Sequence, residues 1–138
     1  MMDDTSQKPQ TGASTVLLVD DDEGIRGLLR DTLERNGYRV LEARFTSDAL
    51  LIGRRHEGPI HVMIADVMMP GINGRELADM FTASRPQMKV LYISGYPLEV
   101  VREKLRQPDM DAFLQKPFAP DALLRKVRDL LEAEPPSA

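Results

Sequence analysis

Five short apolar runs, separated by longer segments of helical spacing, constrain this chain more than any other feature of its sequence. The runs are Val16–Val19, Arg39–Ala43, Ile60–Ala65, Lys89–Ile93 and Asp111–Gln115. Three of them are almost continuously apolar, as strands covered on both faces should be. Between the first two runs, Ile25, Leu28, Leu29 and Leu33 form a helical stripe that Asn36-Gly37 is suited to close. Leu77, Met80 and Phe81 form another, and Leu123, Leu124, Val127, Leu130 and Leu131 form the clearest. Pro120 takes the first position of that last helix and Asp121 its first turn. Ala119 is a weaker N-cap there than Ser would be, by about 1 kcal/mol. Two further helices are predicted over about 47–56 and 98–106.

Five strands alternating with five helices imply an α/β fold with a mostly parallel sheet and right-handed crossovers. The common strand order for this count is 2-1-3-4-5, which opens a crevice between strands 1 and 3, beyond the carboxyl ends of the strands. The 138 residues suffice for one domain with its own core. Residues 1–14 read as a disordered lead, 15–133 as the domain and 134–138 as a flexible tail.

Composition removes several classes of function. The chain has no cysteine, which excludes disulfides and thiolate metal sites and is compatible with a reducing cytoplasm. Its net charge of −4, from 18 basic and 22 acidic residues, gives no general reason to bind nucleic acid. No apolar stretch approaches the roughly 20 residues of a membrane span, and the polar, acidic start is unlike a signal peptide. A cytoplasmic location is therefore expected, with no membrane partner.

The carboxyl ends of the runs carry the chemistry. Strand 1 delivers Asp20, Asp21 and Asp22, strand 3 delivers Asp66, strand 4 Ser94 and strand 5 Lys116. Neighbouring strands lie about 4.8 Å apart, so Asp20 or Asp21 must come close to Asp66. Two ionised carboxylates about 5 Å apart repel by roughly 3 kcal/mol at an effective dielectric of 20. A cation must enter, and an all-oxygen ligand set suits Mg²⁺. Lys116 adds a positive charge, and the Ser94 hydroxyl completes a ring able to hold a phosphoryl unit. Each group also has a plain structural reading. Acids after a strand favour a helix N-terminus, the role expected of Asp22 and Glu23. Ser at a strand end commonly bonds backbone, and Asn73-Gly74 reads first as a turn with left-handed residues, or Gly74 as a residue that simply lets helix 3 start. Their coincidence at one edge of one sheet favours the functional reading. His61 is expected inside strand 3 as a packed or edge residue, and His56 at a solvated helix end.

From about Thr15 to about Glu132 the chain resembles the receiver domain of two-component response regulators. The matching stretches are "LLVDDDEGIRGLL", "IADVMMPGINGREL", "LYISGY" and "FLQKPF", and Asp66 followed by Met69-Pro70 and Gly74 is the most specific pattern. The resemblance implies the flavodoxin-like (βα)5 fold and phosphorylation of Asp66 by a sensor histidine kinase or a histidine phosphotransfer protein. It also implies Mg²⁺ bound through Asp21, Asp66 and the backbone carbonyl of Met68, with Asp20 acting through a metal-bound water. Ser94 and Lys116 would contact the phosphoryl oxygens, and the Lys116–Pro117 bond would be cis. Phe113 matches the aromatic switch residue of strand 5, which remodels the face of helix 4, strand 5 and helix 5 for a downstream protein. Phe113 lacks the hydroxyl of the frequent Tyr, so such a switch would rest on packing.

The chain departs from the family pattern in three places. Met68 cannot hydrogen-bond an attacking water and Tyr96 is bulky, which together suggest slow autodephosphorylation. "SGYP" after strand 4 is similar to receivers joined to hybrid sensor kinases, and "RQPDMDAF" lacks the Gly-Ala that often precedes strand 5. Few residues follow helix 5, so a single-domain regulator or a receiver cut from a hybrid kinase is expected, as a monomer or weak dimer without an output domain. Two other readings stand beside this one. One is a small Mg²⁺-dependent phosphatase with Asp66 as nucleophile, against which Met68 speaks by occupying the place of the usual second acid. The other is a degenerate, binding-only receiver, against which the full set Asp20, Asp21, Asp66, Ser94 and Lys116 speaks.

Overall fold

The computed structural model describes residues 14–69, 71–105 and 112–133. The leading residues 1–13, the tail 134–138, Pro70 and the stretch 106–111 lie outside the described residues, and with them most of the expected lead, the expected tail and the start of the fifth apolar run. Among the described residues strands and helices alternate: β1 (Thr15–Val19), α1 (Glu23–Arg35), β2 (Arg39–Ala43), α2 (Thr46–Arg55), β3 (Val62–Asp66), α3 (Gly74–Thr82), β4 (Lys89–Ser94), α4 (Leu98–Leu105), β5 (Phe113–Gln115) and α5 (Pro120–Glu132). The five strands form one sheet in the order β2-β1-β3-β4-β5, with every adjacent pair parallel. This is the architecture expected from the sequence.

The apolar runs become central strands for a simple reason. All residues of β1 and β3 are buried, because helices cover both faces of the sheet at its middle. Side chains alternate between two cores along each strand. Leu17 and Val19 join Met63, Ala65, Leu77, Phe81 and Val101 on the side covered by α2, α3 and α4. Val16 and Leu18 join Ile64, Ile93, Leu29, Leu33, Leu123 and Val127 on the side of α1 and α5. The edge strands β2 and β5 are only partly buried.

Helix ends follow local chemistry. The Asp22 carboxylate accepts from the Ile25 N–H at 3.0 Å and caps α1, the role expected of it. Asn73 caps α3 in a reciprocal box, accepting from the Glu76 N–H while the Glu76 carboxylate accepts from the Asn73 N–H. Ala119 provides no side-chain cap, and Pro120 opens α5. His56 follows α2 as its C-cap. His61 falls just outside β3 rather than within it, and its Nδ1 accepts from the buried Thr15 N–H at 2.9 Å. Ser14, assigned by sequence to the lead, is buried, and its carbonyl accepts from the Arg39 N–H.

Candidate functional site

The sheet delivers its polar residues to one edge. β1 ends at Val19 and β3 at Asp66, and these two strands pair directly. The reversal of strand order therefore sets Asp20 and Asp21 beside Asp66. Asp20, Asp21 and Asp66 each offer a carboxylate oxygen, and these oxygens all lie within 4.8 Å of one another. Asp20 is buried almost completely and Asp66 nearly so, whereas Asp21 is half-buried.

Lys116 reaches into this group from the end of β5. Its Nζ donates to Asp20 Oδ2 at 2.9 Å and to Asp66 Oδ2 at 2.8 Å. The Lys116–Pro117 peptide bond is cis. The remaining oxygens of the two buried carboxylates are held by backbone: Asp20 Oδ1 accepts from the Asp22 N–H, and Asp66 Oδ1 from the Met68 N–H, both at 2.9 Å. Ser94, fully buried at the end of β4, accepts the Tyr96 N–H at its Oγ and keeps its own O–H to donate. Met68 and Tyr96 are exposed, and the Tyr96 ring receives Lys104 Nζ at 5.9 Å from its centroid.

Electrostatics in the crevice are strained on the acid side. Burial raises the Asp20 carboxyl above its usual range, only partly offset by hydrogen bonds from Lys116 and the Asp22 N–H. Burial alone would lower Lys116, yet its hydrogen bonds to Asp20 and Asp66 and their charges outweigh that, so the ammonium is raised. The two directions are compatible, because one cation shared by two acids satisfies itself more fully than it satisfies either acid. Three carboxylates against one ammonium leave negative charge uncompensated, and a hard divalent ion with oxygen ligands fits that donor set.

Backbone geometry around Asp66 depends on two glycines. Gly71 takes φ +84°, a conformation L side chains rarely adopt. Gly74 does not; a Cβ there would sit 2.8 Å from the Asp66 carbonyl oxygen. The expected left-handed turn thus belongs to Gly71, while Gly74 lets α3 begin against the end of β3. The sequence-predicted groups Asp20, Asp21, Asp66, Lys116 and Ser94 all come to this edge. Phe113 lies in β5, the strand that leads to Lys116, packed against the core on the α4 side opposite Tyr92. Sequence reasoning missed Arg26, whose Nη1 donates to the Asp20 carbonyl at 2.7 Å. Its partner is a backbone atom, which leaves no signature in residue type.

Fold and crevice together define a class, a doubly wound α/β module whose switch point holds an aspartate cluster bridged by a lysine. The model of the response regulator receiver domain matches residues 16–128, and the chain belongs to that family. The sensor kinase CckA of Brucella abortus (strain 2308) is 33% identical over 125 residues, which cover 90% of this chain but 13% of that protein. The response regulator receiver protein CpdR of the same strain is 30% identical over 118 residues, covering 86% of this chain and 97% of CpdR. Among solved structures, the receiver domain of the hybrid histidine kinase CckA is 31% identical with a TM-score of 0.73, covering 86% of this chain and all of that one. A CheY-like receiver domain protein from Methanospirillum hungatei JF-1 is 30% identical, also with a TM-score of 0.73, over 86% of this chain and 94% of that one. The chain is thus a receiver domain of two-component signalling, a class of phosphoacceptors in which Mg²⁺ is typical. Among the described residues, no helix is long and apolar enough to cross a membrane.

Proposed function

We propose that Asp66 accepts a phosphoryl group from a phosphohistidine of a sensor histidine kinase or histidine phosphotransfer protein, in a Mg²⁺-dependent reaction. The observation that carries this reading is the Lys116 bridge between Asp20 and Asp66 inside a three-carboxylate cluster. A carboxylate oxygen of Asp66 attacks phosphorus in line. The new P–O bond forms as the P–N bond to the partner imidazole breaks, and the nitrogen keeps the electron pair. Asp20, Asp21, Asp66 and the Met68 carbonyl would hold Mg²⁺, which when bound neutralises charge on the transferring phosphoryl oxygens. The rest is positioning by the chain itself. Backbone and Lys116 fix the Asp66 carboxylate in one orientation, the Lys116 ammonium pairs with phosphoryl oxygens as they arrive, and the Ser94 hydroxyl donates to them.

Ser94 would then couple the phosphoryl to the face of α4, β5 and α5, with Phe113 repacking beside Tyr92. That face would be read by a downstream protein. The relationship to CckA and CpdR supports a kinase or phosphotransfer partner, and the chain itself acts as a phosphoacceptor with at most slow self-dephosphorylation, not as a turnover enzyme.

Intact mass after incubation with Mg²⁺ and a small phosphodonor tests the proposal. The expected result is one added phosphoryl group, absent in Asp66→Ala and absent when Mg²⁺ is chelated. Repeated turnover on a phosphoester would instead indicate the phosphatase, and no addition at all would indicate a binding-only receiver.

A further inference from the structure

Asp21 is the acid of the crevice whose placement its own side-chain contacts do not explain. Both oxygens of Asp20 are engaged, by the Asp22 N–H and Lys116, and both oxygens of Asp66, by the Met68 N–H and Lys116. Among the described residues the Asp21 carboxylate has no such hydrogen bond, although it shares the cluster. Its position is therefore set by the backbone, and above all by the peptide that joins Asp20 to Asp21. The N–H of Asp20 is the last tie of this turn to the sheet, donating to the Ala43 carbonyl at 3.2 Å. The carbonyl of Asp20 belongs to the peptide in question, and it accepts from Arg26 Nη1 at 2.7 Å.

Arg26 is itself held rigidly. Its side chain is only 13% exposed, and its Nε donates to Glu42 Oε1 at 3.1 Å. The other Glu42 oxygen accepts from Arg30 Nη1 at 3.0 Å. One carboxylate on β2 thus holds two arginines from successive turns of α1, and the inner arginine grips the peptide in front of Asp21. A lysine could not make both contacts with one planar fork.

We propose that Arg26 is a positioning residue for divalent-cation binding, fixing the Asp20–Asp21 peptide so that the Asp21 carboxylate stands ready without a partner of its own. This inference rests on the proposed Mg²⁺ site. Charge and positioning predict opposite signs for the loss of Arg26. Removing a positive charge near a cation site strengthens cation binding by Coulomb's law alone. Loss of the peptide anchor weakens it.

The experiment is calorimetric titration of the full chain with Mg²⁺, together with urea unfolding in Mg²⁺-free buffer, for wild type, Arg26→Met, Arg26→Lys and Glu42→Gln. For Arg26→Met the expected result is Mg²⁺ binding weaker by about five- to tenfold, the scale of one hydrogen bond. Arg26→Lys, which keeps the charge but loses the fork, should show a smaller weakening, and it carries the test if Arg26→Met does not fold. Glu42→Gln should fall between wild type and Arg26→Met. Unchanged or tighter Mg²⁺ binding in the arginine variants, with only the unfolding midpoint lowered, would overturn the proposal and leave a structural brace. Absence of Mg²⁺ binding in wild type would overturn both the site and this inference, so the two failures are distinguishable.

Discussion

At the scale of single residues, the crevice holds two buried carboxylates with both oxygens engaged, and beside them stand two exposed side chains that do not join the cluster. Met68 and Tyr96 are exposed beside Asp66 and Ser94 in sequence, and a thioether gives an attacking water no useful acceptor. Replacing Met68 by Asn supplies one hydrogen bond worth about 1 kcal/mol, roughly fivefold in rate. The acyl-phosphate half-life is expected to shorten accordingly in Met68→Asn, followed by loss of the phosphorylated mass; a longer half-life would refute the shielding idea. Gly74→Ala makes a different demand, because its Cβ would meet the Asp66 carbonyl at 2.8 Å. Backbone must shift, and overpacking of this kind costs about 1–3 kcal/mol. A lowered urea midpoint with impaired phosphorylation is expected, and a variant matching wild type in both would show that the contact relaxes freely. Asp20, Asp21, Asp66, Ser94 and Lys116 were legible in sequence because each ends an apolar run. At Asn73-Gly74 the sequence left two readings open, a left-handed turn and a glycine that lets α3 start, because the two look the same in one dimension; the structure has the second. Arg26 was invisible because nothing in its spacing marks a bond to a carbonyl six residues back along the chain.

Elements were legible to the extent that they are buried on one side or on both. β1 and β3 announce themselves as unbroken apolar runs because no face of theirs meets water. α5 is equally plain, with Leu123 and Val127 fully buried on its inner side. The edge strand β5 is short and partly exposed, so its pattern is diluted. This weakly patterned edge is also where the proposed output face lies. Phe113 pairs with Tyr92 across β4 and β5 and packs under α4 together with Val101 and Leu98. Phe113→Ala should leave Asp66 phosphorylation intact while reducing the difference in partner affinity between the phosphorylated and unphosphorylated forms. Loss of phosphorylation in this variant, measured by intact mass, would contradict the separation of chemistry from readout.

For the molecule as a whole, two cores on opposite faces of one sheet meet at an edge loaded with like charge. The folded state tolerates that crowding because the sheet fixes the ends of β1 and β3 side by side. Any ligand that relieves it must stabilise the fold by mass action. At a hundredfold excess over its dissociation constant, Mg²⁺ should add about 2.7 kcal/mol to unfolding free energy, a rise of several degrees in the thermal midpoint. The rise should vanish with a chelator and be lost in Asp66→Ala; a midpoint indifferent to Mg²⁺ would remove the metal from the proposal. The strand order was legible because a five-unit β–α alternation leaves few right-handed windings.

Lys116 gives this arrangement a further property. Its ammonium is tethered within 2.9 Å of both buried acids, so it competes for them at an effective concentration that no dissolved ion matches. The crevice therefore carries its own resident counter-ion, built from the chain. A visiting metal does not fill an empty well; it negotiates with an occupant that is always home. A metal at this site would have to displace the Lys116 ammonium from both acids, so that one lysine at the end of β5 would set the threshold for occupancy.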